Sequence, residues 1–198
     1  MQRRAFLATL GALAAAGCGG GGATTPEGAR PAGGANARLP GAPDDAATVA
    51  YALRLEQVQA DLYRRAADSG FFKGSERALV QQLRDEEDEH VSTLSGTLRR
   101  LGGATPAPPE TRLALDDRDA TLRIAVRLEN LGAAAYLGQL DRIRDRGVLA
   151  TLLSIHTVEA RHATALNLLL AKPATPTGAF ARPEDMASVL RVLDLYLA

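Results

Sequence analysis

Two short segments, Glu87-Asp88-Glu89-His90 and Glu159-Ala160-Arg161-His162, each place an acid and an imidazole three residues apart inside an apolar stripe. Residues three apart lie on one face of a helix. Each segment therefore turns both polar groups the way its hydrophobic neighbours point. Around the first, the stripe reads Val80, Leu83, Glu87, His90, Leu94, Thr97, Leu101; around the second it reads Val148, Leu152, Ile155, Glu159, His162, Leu166, Leu169. Alternating steps of three and four residues are the inward seam of a helix bundle. A solvated helix face would not carry leucine at every other step, so the acids and imidazoles are expected inside.

Two further stretches carry seams of the same kind. One reads Val49, Leu53, Glu56, Ala60, Tyr63, Ala67, and the other Leu122, Val126, Glu129, Ala133, Tyr136, Leu140, Ile143. Glu56 precedes Glu87 by 31 residues and Glu129 precedes Glu159 by 30. Tyr63 and Tyr136 each follow their helix's glutamate by seven. Two helix pairs thus share one pattern at an offset of 72 to 73 residues. Recurrence at a fixed offset is the mark of an internal duplication.

The connections predict an all-α, four-helix bundle. A few residues around Ser69-Gly70-Phe71-Phe72 join the first two helices, and Asp145-Arg146-Gly147 turns the third into the fourth, so each pair lies antiparallel. Between the second and third helices runs the proline-rich segment Leu101–Leu115, long enough to cross the bundle. A fifth, short helix is expected from about Pro183, after a loop that opens residues 173–198. With four Phe, four Tyr and no Trp, the composition suits helix packing better than a sheet. Lys plus Arg equals Asp plus Glu at 23 each, which leaves no basic excess for a nucleic-acid partner.

Residues 1–18 read as a leader. Arg3 and Arg4 precede a short apolar run that ends at Gly17-Cys18, too short to span a bilayer comfortably. The segment Arg3–Leu7 resembles the twin-arginine export signal, and Ala15-Ala16-Gly17-Cys18 resembles the lipobox of bacterial lipoproteins. That resemblance implies lipidation at Cys18, the one cysteine of the chain, which becomes the new first residue. It also implies an exported protein anchored to a membrane of the bacterial cell envelope, on its periplasmic or extracellular face. Removing residues 1–17 leaves 21 basic against 23 acidic residues. Residues 19–43 are rich in Gly, Ala and Pro and read as a flexible tether, followed by the bundle over 44–172.

Four buried carboxylates cannot stay charged together without compensation. Two divalent cations would supply it, with His90 and His162 each adding a neutral nitrogen. One Glu from each of two helices, with Glu-x-x-His from each of the other two, resembles the ligand set of the ferritin-like di-iron or di-manganese carboxylate proteins. The resemblance covers residues 44–172. It implies Glu56 and Glu129 as single ligands, and Glu87 with His90 and Glu159 with His162 as paired ones. The implied cofactor is two iron ions, with manganese as the alternative. Ferrous oxidation, or the removal of peroxide by a peroxidase or catalase reaction, is the implied oxidoreductase activity, with O2 or peroxide as partner. A homo-oligomer is compatible with that family.

Several residues leave alternatives open. Glu86, four before His90, is a second candidate for the place given to Glu87. His156 lies off the seam and reads as a rim residue. Tyr63 and Tyr136 read as core tyrosines with a bonded hydroxyl. The competing function is a non-catalytic helical-bundle lipoprotein that serves as a structural or interaction module.

Overall fold

A computed structural model of the chain describes residues 44–198. The leader, Cys18 and the tether of residues 19–43 lie outside the described residues. The described part contains five α-helices: α1 Asp45–Asp68, α2 Gly74–Arg100, α3 Arg118–Leu137, α4 Arg146–Leu169 and α5 Met186–Leu193. There is no strand among the described residues, only an isolated antiparallel bridge between Thr111 and Leu197.

The duplication extends to the helix ends. Asp44 and Asp117, 73 residues apart, are the N-caps of α1 and α3, and each carboxylate accepts from the backbone N–H three residues on. Such a cap satisfies one of the orphan donors of the first turn. Asp145 caps α4 in the same way through Val148 N.

Helices α1 and α2 pack as one pair and α3 and α4 as another. Contacts between the pairs have constant residue sums: Tyr63 meets Glu129 and Tyr136 meets Glu56. A constant sum means that α1 and α3 run antiparallel, as the long α2–α3 connection requires. That connection lies along the outer stripe of α1. Gln57 Nε2 donates to Pro106 O at 3.1 Å, Asp61 accepts from Thr111 at 2.6 Å, and Arg65 donates to Leu113 O at 2.9 Å. Residues 57, 61 and 65 are one turn apart, so one face of α1 holds the whole crossover. The chain end then pins it from outside, with Arg112 N donating to Tyr196 O and Ala198 N to Glu110 O.

Two apolar clusters fill the bundle. The larger includes Leu55, Leu62, Leu83, Leu128, Leu166 and, from α5, Val189 and Leu193. The smaller includes Leu53, Leu94, Leu98, Val148 and Leu152. The polar residues of the seams lie between them.

Two helix bounds differ from the sequence reading. The seam of the third helix was expected to continue through Leu140 and Ile143, but α3 stops at Leu137 and a 3-10 turn covers Leu140–Arg142. The cause is tertiary. Glu184 N donates to Ala134 O, and the Glu184 carbonyl lies so near Gly138 that a Cβ there would meet it at 2.0 Å. The returning C-terminal segment thus takes the space of the next turn. The fifth helix begins at Met186, three residues after Pro183, because the cap is Asp185, whose carboxylate accepts from Ser188 N.

Candidate metal centre

Glu56, Glu87, Glu129 and Glu159 are wholly buried, and His90 and His162 nearly so. Each comes from a different seam position, and the antiparallel packing brings all six to one level of the bundle. Two groups of four form there: Glu56, Glu87, His90 and Glu159, and Glu87, Glu129, Glu159 and His162. Within each group one ligand atom per residue lies within 4.8 Å of every other. Glu87 and Glu159 belong to both.

The imidazoles face inward through Nδ1. That of His90 lies 3.2 Å from Glu56 Oε2, 3.3 Å from Glu159 Oε1 and 3.6 Å from Glu87 Oε2. That of His162 lies 3.0 Å from Glu87 Oε1, 3.4 Å from Glu129 Oε2 and 3.8 Å from Glu159 Oε1. The rings stack 6.1 Å apart at 27°.

Burial raises the carboxyl groups first, and neighbouring charges raise them further. Glu56 is pushed up to about 8 by burial and then by Glu87. Glu159 is also pushed up to about 8, by burial and then by Glu56 and Glu129. Glu87 moves in the same direction, by burial and then by Glu159 and Glu129. For the imidazoles burial acts the other way, yet the surrounding carboxylates outweigh it. His162 is held up at about 11 by Glu129 and Glu87, and His90 is raised well above its ordinary value by Glu159, Glu56 and Glu87. Protons therefore gather where cations would neutralise the cluster.

Hydrogen bonds account for only part of the cluster. Tyr63 Oη donates to Glu129 Oε1 and Tyr136 Oη to Glu56 Oε1, each at 2.5 Å. Gln59 Nε2 donates to Glu159 Oε2 at 2.8 Å. His162 Nε2 donates to Glu86 Oε2 at 2.6 Å. Among the six candidate ligands, five buried atoms have no aligned hydrogen-bond partner: both oxygens of Glu87, Glu129 Oε2, Glu159 Oε1 and His162 Nδ1. Buried acceptors without donors are costly. A divalent cation satisfies carboxylate oxygens and an imidazole lone pair together, and oxygen with nitrogen suits iron, manganese or zinc. The residues present fit a dinuclear metal centre.

Glu86 does not take the place of Glu87. It is half-buried at the rim and holds His162 from outside the cluster. His156 belongs to neither group; its Nδ1 lies 3.0 Å from Ala133 O. The sequence reading missed Gln59. Its signal was present as Glu56-x-x-Gln59, an acid and an amide at the same spacing as Glu-x-x-His. The duplication hid it, because Gly132 occupies the matching place. Between α2 and α4, a cavity of about 590 Å3 reaches His90 and is lined also by Glu86, Glu89, Thr93, Ser154 and Val158.

A family model described as a ferritin-like domain matches residues 44–172. A comparison with curated proteins finds no match.

Proposed function

The chain belongs to the ferritin-like domain family, and from that premise we propose that its buried cluster holds two divalent metal ions for iron or oxidant handling at the cell envelope. Iron is the first choice of metal and manganese the second. Glu56 and His90 would serve one ion, Glu129 and His162 the other, and Glu87 and Glu159 both. The observation that carries this reading is the pair of four-residue groups that share Glu87 and Glu159, with unpartnered oxygens turned into them.

Such a pair of metals supplies two-electron redox chemistry toward O2 or peroxide, which is the basis for proposing ferrous oxidation or peroxide removal. The chain's own residues set the conditions for it. Tyr63 and Tyr136 hold Glu129 and Glu56 by one oxygen each and leave the other oxygen to the cluster. Glu86 accepts the Nε2 hydrogen of His162, which in the neutral ring leaves the Nδ1 lone pair facing the carboxylates. The apolar clusters on either side keep bulk water from the carboxylates, and the cavity beside His90 is the route for a small reactant.

The leader adds the proposal that the protein is exported and lipid-anchored through Cys18, with residues 19–43 as the spacer to the bundle. A twin-arginine signal carries folded proteins, so the metal would be chosen in the cytoplasm before export.

Metal content per chain tests the central reading. The full chain is loaded with Fe(II) or Mn(II) without oxygen and compared with a Glu159→Ala, His162→Ala variant. About two ions per wild-type chain, sharply reduced in the variant, support a dinuclear site. Two folded proteins without metal would overturn it in favour of a non-catalytic bundle.

A further inference from the structure

The duplication relates Glu56 to Glu129, Tyr63 to Tyr136, Glu87 to Glu159 and His90 to His162. Around the cluster it fails in two places. Gln59 corresponds to Gly132, and Glu86 corresponds to Val158. Both failures favour the same half. Gln59 donates to Glu159, and Glu86 accepts from His162, so each member of the Glu-x-x-His pair on α4 has an outer partner. The pair on α2 has none. Both Glu87 oxygens lack an aligned donor, and no side chain among the described residues holds His90 Nε2.

Gly132 is more than a missing glutamine. A Cβ at that position would lie 2.6 Å from Glu159 Oε2 and 3.4 Å from the Gln59 amide. The glycine leaves the space in which the Gln59–Glu159 hydrogen bond forms. Val158 likewise replaces a carboxylate with an apolar wall, and that wall lines the cavity that reaches His90. The tyrosines do not distinguish the halves, since each half has one.

An outer carboxylate fixes the tautomer and ring direction of a ligating histidine and raises its basicity. Ligands already held in place lose less freedom when a cation arrives. We propose that the two metal positions are therefore unequal: the His162 position, held by Glu86 and Gln59, retains its divalent cation, whereas the His90 position binds a second, exchangeable one through the cavity between α2 and α4. This rests on the dinuclear reading. It adds that the exchangeable ion is the one through which a cation substrate would enter and leave.

Mn(II) is the probe, added to the full chain without oxygen and followed by the electron-paramagnetic signal of the free ion. Two steps are expected, at least about tenfold apart. His162→Ala should remove the tighter step and His90→Ala the weaker. Glu86→Ala should weaken the tighter step about 10- to 100-fold and leave the weaker within about twofold. Glu89→Gln, which removes an acid from the same cavity without touching His162, should leave the tighter step in place. Val158→Glu should tighten the weaker step by supplying His90 with the partner it lacks. Two equal steps in the wild type, or an equal loss of both steps in Glu86→Ala, would overturn the inequality while leaving the dinuclear reading intact. No Mn(II) uptake at all would overturn both.

Discussion

Tyr63 of α1 donates its hydroxyl to Glu129 of α3, and Tyr136 of α3 returns the same bond to Glu56 of α1. Each tyrosine stands seven residues beyond the glutamate of its own helix and serves the glutamate of the other. Seven residues are two turns, about 10 Å. In two antiparallel helices that distance carries a side chain on one helix to the level of its counterpart on the other. The two bonds therefore tie the helix pairs together at the level of the acids.

Removing either hydroxyl should leave a buried carboxylate oxygen without a donor. Tyr63→Phe and Tyr136→Phe should each lose about 1–3 kcal/mol of stability in the metal-free chain. Urea unfolding of the two variants and the wild type checks this. A change below about 0.5 kcal/mol in both would show that the hydroxyls do not support the carboxylates.

Glycines on two helices should respond in opposite ways. Gly132→Ala drives a methyl group into Glu159 and Gln59 and should cost about 1–3 kcal/mol as overpacking. Gly96, on α2, has only the end of Arg99 near a would-be Cβ, at 3.9 Å. Gly96→Ala should therefore stabilise the chain by about 0.5–1 kcal/mol, the ordinary gain of alanine over glycine inside a helix. Paired thermal melts of the two variants decide the matter; equal shifts would count against the crowding at Gly132.

The metal-free chain should lose stability as pH rises from about 5 to 8. Burial first, then neighbouring charge, lifts Glu56 and Glu159 from the ordinary 4.5 to about 8 in the folded state. Between those values the folded chain binds more protons than the unfolded one, so stability falls with rising pH. His162 has the same sign: burial opposes its proton, but Glu129 and Glu87 hold it up at about 11, against an ordinary 6.5. Its contribution is whole below 6.5 and is lost as pH climbs through about 11. Metal should reverse the trend below pH 8, because protons compete with it for the same oxygens. Melting temperatures at pH 5.5 and 8, with and without Mn(II), test both slopes. A metal-free chain that is more stable at pH 8 contradicts the expectation.

Export is tested at the leader. Replacing Arg3 and Arg4 with Lys should leave a folded precursor inside the cell, and Cys18→Ser should release the exported protein from the membrane fraction. Fractionation with antibody detection reads both. Unchanged export of the lysine variant would argue against the twin-arginine route.

Much of this protein is local and so was legible along the chain. The stripe from Val148 to Leu169 repeats at steps of three and four, and side chains at those steps share a face whatever lies opposite. That is why the six polar seam residues, the antiparallel pairs and the long α2–α3 connection could be read before any packing was known. The duplication strengthens the reading, since Glu87, already on the stripe with His90, matches Glu159 where Glu86 matches Val158.

What the tertiary structure alone decided depends on the relative register of different helices. The end of α3 at Leu137 follows from the Glu184 backbone reaching Ala134 and Gly138, about 50 residues away in sequence. Glu86 reaches His162 and Gln59 reaches Glu159 across 76 and 100 residues. No local spacing encodes such contacts, because a shift of one turn between helices would exchange every partner. The sequence by itself determined which residues face the core and which chemistry they can offer. Only the packed bundle decided that the α4 pair is supported from outside and the α2 pair is not, because that difference lies in the space between helices.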